Sequence, residues 1–134
     1  MKILLICSKS FYSKIPEIKK YLEQKGHDIY LPNCYDAPQT EAKYRGTDKH
    51  SEFKSKMFKK SQDTISNMDA VLVLNFDKNE YKNYIGGATF LEMYDAYRMN
   101  KKIFMYNKIP EGILQDEIVG FSPIILNQNL DMIK

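Results

Sequence analysis

The sequence has no Trp, only two Cys and six Gly, and little excess of either charge: 20 Lys plus Arg stand against 17 Asp plus Glu, a net +3. Each shortage excludes something. Two thiols, Cys7 and Cys34, cannot build a disulfide framework. A net charge of +3 is not the basic stripe a nucleic-acid polymer demands, so no such partner is expected. The longest apolar run falls far short of the ~20 residues that cross a bilayer, so no membrane partner is expected either. Met1 and Lys2 lead straight into an apolar segment with no small-residue cleavage site behind it. That start reads as a cytoplasmic protein with reduced thiols.

What is present is ordinary globular material. Hydrophobic residues make up 43% and charged residues 28%, with ten Tyr and seven Phe for a core. A chain of 134 residues suits one domain spanning 1–134.

Short apolar runs alternate with helical stretches, the signature of a parallel sheet with crossover helices. Strands are expected at 3–7 (ILLIC), 28–31 (DIYL), 70–74 (AVLVL), 103–106 and 123–126. Helices are expected from Ile15 to a C-cap at Gly26, over 48–67, over 87–99 and over 113–119. In the second of these, Phe53, Met57, Phe58, Ile65 and Met68 are the inner positions. Residues 33–47 and 75–84 read as long loops, which in a compact domain are usually functional. The expected architecture is an α/β three-layer sandwich with a five-stranded parallel sheet in the flavodoxin-like order 2-1-3-4-5. Its site lies beyond the carboxyl ends of the strands, beside the switch point between the first and third.

Several chemistries use this architecture, and most lack their residues here. The turn after the first strand is SKSFYS, with no glycine, so neither G-x-G-x-x-G nor a P-loop is present. Cys7 is not followed by the Arg of a phosphatase loop, since Ser13 stands six residues on. Ser8, Ser10 and Ser13 offer the hydroxyls of a flavodoxin-type loop without its glycine. His27 and His50 are isolated and read as surface or capping residues rather than metal ligands. No cofactor is expected.

The segment that remains is 84–97, YIGGATFLEMYDAY. Gly86 and Gly87 open a helix, where glycines let the backbone approach a ligand and leave amides free. Phe90, Met93 and Tyr97 are spaced to face the sheet, and Thr89 and Glu92 share the adjoining face toward the cleft. Glu92 has Ala88, Thr89, Asp95 and Ala96 at its helical neighbours, so no in-helix ion pair explains it. It is either a solvated Glu favoured by the early turns of its helix or a working carboxylate.

GGATFLEM, followed by AYRMNKKIF and preceded by NMDAVLVL, resembles the nucleoside 2-deoxyribosyltransferase family, which includes the 2′-deoxynucleoside 5′-phosphate N-hydrolases. The resemblance is recognisable over 68–103 and implies action at an N-glycosidic bond of a nucleoside or nucleoside 5′-monophosphate. It implies that Glu92 is the nucleophile that traps the anomeric carbon, as a carboxylate does in retaining glycosidases. Ser8, Lys9, Ser10 and Phe11 fall in the stretch that contacts sugar or 5′-phosphate, with the serines equally suited to capping. Gly86, Gly87 and Thr89 adjoin the nucleophile; Asn75 and Asp77 are candidates for base or ribose contacts, or simple turn formers. The family assembles as homodimers or larger, which makes Tyr81, Tyr84 and Tyr94 interface candidates.

The sequence also departs from that family. Ser61 stands eight residues before Asp69, where an Asp normally handles the leaving base. Tyr94 replaces the Gly that follows Glu-Met, and Gly86 stands where transferases carry an Asp. Hydrolysis is therefore favoured over base transfer. Three readings rival it: a non-catalytic nucleotide sensor, a lysine-decarboxylase-like phosphoribohydrolase sharing the paired glycines and Glu, and a flavoprotein.

Overall fold

Lys2–Ile6 (β1) reads KILLI, and after the exposed Lys2 four successive residues are buried. Such a run fits only a strand covered on both faces. Ala70–Val73 (β3) is buried throughout and pairs in parallel with β1, Leu5 opposite Leu72. Asp28–Tyr30 (β2) flanks β1 on its other side, while Lys102–Met105 (β4) and Ile124–Ile125 (β5) extend the sheet beyond β3. The computed structural model describes residues 1–134, and its five-stranded sheet is all parallel in the order β2-β1-β3-β4-β5. This is the architecture expected from the alternation of apolar runs and helices.

Alternation along each strand divides the core in two. Ile3, Leu5, Ala70, Leu72 and Phe104 face one side, where Ile15–Gln24 (α1) delivers Ile15, Ile18 and Leu22. Leu4, Ile6, Val71, Val73, Ile103 and Met105 face the other. That side is covered by His50–Ser66 (α3), Gly87–Arg98 (α4) and Gln115–Gly120 (α5) through Ile65, Met93, Ala96 and Ile118. Gly26 follows α1 at φ +93°, the left-handed geometry that a helix end favours in glycine.

Four details depart from expectation. Within residues 33–47 the chain forms a short helix, Thr40–Tyr44 (α2), where a loop was expected. On α4 the buried residues are Thr89, Met93 and Ala96, whereas Phe90 is half-buried and Tyr97 is 49% exposed. Small residues let α4 lie close to the sheet. The displaced rings gather on Phe121, with centroids 5.6 Å away for Phe90 and 5.5 Å for Tyr97. On α3, Phe58 is 38% exposed and Phe53 and Met57 are only half-buried, because that half of the helix borders a cleft instead of the sheet. His27 is buried beneath the chain start, its Nδ1 3.1 Å from the Met1 amino group, rather than lying on the surface. Of the tyrosines considered for an interface, Tyr81 and Tyr94 are exposed, while Tyr84 packs on Phe11.

Candidate active site

β1 and β2 end side by side and deliver Cys7, Pro32, Asn33 and Cys34 to the carboxyl edge of the sheet. The first two turns of α4 add Ala88, Thr89 and Glu92 from one side, and α3 adds Lys54, Met57, Phe58 and Ser61 from the other. Together they enclose a cleft of about 180 Å³. That volume suits one ring-sized group, given that a cavity of roughly 150 Å³ holds benzene.

Glu92 sits against one wall of this cleft. Burial pushes its carboxyl up to about 7, against the pull of a hydrogen bond from Ser61; Asp95 adds to the rise and Lys54 opposes it. Ser61 Oγ donates to Glu92 Oε2 over 3.2 Å, and Asn33 Nδ2 donates to Ser61 Oγ over 2.6 Å. Oε1 has no protein partner. Glu92, half-buried against the cleft wall, is therefore neither a fully solvated helix glutamate nor half of an ion pair.

The other wall carries protonated groups. Burial, and secondarily the Glu92 charge, pushes the Cys7 thiol up to about 12, which makes it a poor nucleophile. Burial likewise raises Tyr12, which keeps its phenol protonated. Cys34 lies with its Sγ 3.8 Å from Met57 Sδ. No group of three or more His, Cys, Asp or Glu side chains converges as a metal site would require.

The helix α2 roofs the cleft and is tied down by charge. Glu41 accepts from His50 Nε2 at 2.9 Å and Lys54 Nζ at 3.2 Å, and the His50 bond chiefly holds its carboxyl below the usual range. Tyr44 stacks on Phe53 with centroids 5.2 Å apart. Lys9 Nζ reaches up to the Pro38 carbonyl at 3.1 Å, so its cation stands at the cleft rim.

Of the residues picked from the sequence, Lys9, Thr89 and Glu92 line the cleft together. Ser8, Ser10, Phe11, Asn75, Asp77, Gly86 and Gly87 do not line it. Ser8 caps the 3-10 turn Lys9–Lys14 by accepting from the Ser10 amide. Phe11 is buried against Phe76 and Tyr84. Asp77 accepts from the Asn83 amide and pairs with Lys82, closing its own loop. Gly86 precedes α4, where an added Cβ would come within 3.4 Å of the Tyr84 hydroxyl, and Gly87 begins the helix.

Asn75 is fully buried and buckles two strand ends together. Its Nδ2 donates to the carbonyls of Asn107 and Lys108, and its Oδ1 accepts from the Asn107 amide. Asn75→Ala should lower stability by about 2 kcal/mol, the cost of orphaned buried backbone groups, read as a fall in denaturation midpoint. Asn33, Tyr12 and Lys54 were not singled out in the sequence, and Met57 was read there as an inner position of its helix rather than a cleft residue. Asn33 follows β2, Tyr12 sits in the 3-10 turn and Lys54 and Met57 share α3, and the one available signal was Asn33 following the Pro32 that closes a strand.

Several solved structures resemble this chain, and two of them bear on its fold. A 2-deoxyribosyltransferase from Bacillus psychrosaccharolyticus aligns at TM-score 0.55 and 18% identity, over 78% of this chain and 71% of that one. The Clostridium botulinum CMP N-glycosidase BcmB aligns at TM-score 0.52 and 16% identity, over 93% and 85%. The chain shares its fold with both of these proteins. No protein-family profile matches the chain, and no curated protein matches it significantly.

Proposed function

We propose that this protein cleaves, or transfers at, the N-glycosidic bond of a nucleoside or nucleoside 5′-monophosphate, with Glu92 as the nucleophile. One observation carries the reading: a half-buried carboxylate with one oxygen held by Ser61 and the other free, facing a ring-sized cleft. The fold shared with a deoxyribosyltransferase and a CMP N-glycosidase supports it.

The chemistry follows from the carboxylate. As the bond from the anomeric carbon to the base nitrogen breaks, the sugar acquires oxocarbenium character and the base leaves with the bonding electrons. Glu92 Oε1 closes on the anomeric carbon to form a glycosyl ester, which water then hydrolyses. Ser61 supplies no acid for the leaving base, so the base takes its proton from water in the cleft. Lys9 stands at the rim, where it would meet a 5′-phosphate. Lys9→Met should then raise KM for monophosphates about tenfold, the worth of one charge-assisted contact, and leave KM for unphosphorylated nucleosides unchanged.

The serine at position 61 also favours a second reading, a sensor that binds nucleotides without turnover. Incubation with a panel of nucleosides and 5′-monophosphates, followed by chromatography for free base, separates the two. Base release supports catalysis; tight binding with no release supports the sensor.

A further inference from the structure

Ser61 lies on α3, where its hydroxyl has an ordinary alternative to Glu92. A helical serine commonly bonds back to the carbonyl four residues earlier, here that of Met57. That carbonyl is occupied: Asn33 Nδ2 donates to Met57 O at 3.2 Å. The same nitrogen gives its other proton to Ser61 Oγ at 2.6 Å. The amide orientation is fixed by chemistry, because turning it over would set Oδ1 against the Met57 carbonyl oxygen, acceptor against acceptor. Ser61 is 7% exposed, so bulk water hardly competes for its hydroxyl. The serine oxygen is thus engaged as an acceptor, and its single proton has Glu92 Oε2 at 3.2 Å to go to.

We propose that Asn33 and Ser61 form a directional hydrogen-bond relay that positions Glu92: Asn33 turns the one hydroxyl proton of Ser61 onto Oε2 and leaves Oε1 free to react. This rests on the reading of Glu92 as nucleophile and deepens it. Both are positioning residues, since they act on the sugar through the carboxylate. The arrangement gives the serine a reason of its own. An acid at position 61 would add a second negative charge beside Glu92, whereas a hydroxyl donates to the carboxylate without one. The bond from Ser61 accordingly opposes the upward push of burial on Glu92.

The test is a carboxyl-carbon NMR titration of the substrate-free protein, with the Glu92 signal assigned by its loss in Glu92→Gln. Ser61→Ala should move the Glu92 midpoint up by about one pH unit, the value of one hydrogen bond to a charged group. Asn33→Ala should move it up by less, because the freed hydroxyl can turn back to Met57. In the Ser61→Ala background, Asn33→Ala should add nothing, and Ser61→Thr should restore the original midpoint. In base release, Ser61→Ala should lower kcat about tenfold with KM unchanged, and Ser61→Thr should recover it. An unmoved midpoint in Ser61→Ala, or an equal effect of Asn33→Ala in both backgrounds, would overturn the relay. Because the titration needs no substrate, it decides the relay even if the wild-type protein releases no base, a result that would sink the functional reading instead.

Discussion

Glu92→Gln should lower base release by roughly 10³-fold or more, the scale on which removing a covalent nucleophile acts. The replacement has the same shape, and its carbonyl can still accept from Ser61, so the cleft and substrate affinity should be preserved. Loss in kcat with little change in binding is the pattern expected when an interaction made only on the way to the transition state is removed. The wild-type pH profile should agree. Attack needs the ionised carboxylate, and burial places its titration at about 7. The value of kcat/KM should therefore rise through neutrality and level off above it, falling about tenfold per pH unit on the acid side. A profile already flat at pH 5 would point to a carboxylate with ordinary solvation.

The same substitution should stabilise the protein at alkaline pH. In the folded state Glu92 keeps its proton up to about 7, while in the unfolded chain it releases it near the ordinary 4.5. Between those values the folded state binds more protons than the unfolded one, so stability falls as pH rises across that window. Above it the full cost of the buried charge is present. The gap corresponds to on the order of 3 kcal/mol, reduced by water reaching the open side of the cleft. Glutamine carries no such charge. Glu92→Gln should thus melt several degrees above wild type at pH 8 and converge with it below about pH 4.5. Thermal denaturation of both proteins at the two pH values checks this, and equal melting at pH 8 would contradict it. Gaining stability while losing activity is the expected mark of a carboxylate kept buried for chemistry.

The sheet was legible because β1 and β3 are apolar on both faces, and only a covered parallel sheet tolerates such strands. The face of α4 was legible only approximately. Its aromatics looked like core, yet small residues were needed against the sheet, and the rings had Phe121 to pack on. Glu92 was visible as a helix glutamate with no basic neighbour one turn away. Its surroundings were less visible, because Asn33 follows β2 and Lys54 and Ser61 lie on α3, elements far from α4 in the chain. Ser61 was marked only as a departure from a family pattern, and nothing local distinguishes it from a surface serine of a polar helix. Asn75 illustrates the converse. An asparagine just past a strand reads as a ligand or a turn former, and only tertiary structure shows its amide spent on the Asn107 and Lys108 backbone.

Covalent chemistry at Glu92 is the central claim, and mass spectrometry of the protein quenched in acid during turnover of a 2′-deoxynucleoside 5′-monophosphate addresses it directly. The account predicts a mass increase of one phosphorylated deoxypentosyl unit, localised to the peptide that contains Glu92 and absent from Glu92→Gln. Base release that continues at the wild-type rate in Glu92→Gln, with no adduct on either protein, would contradict it.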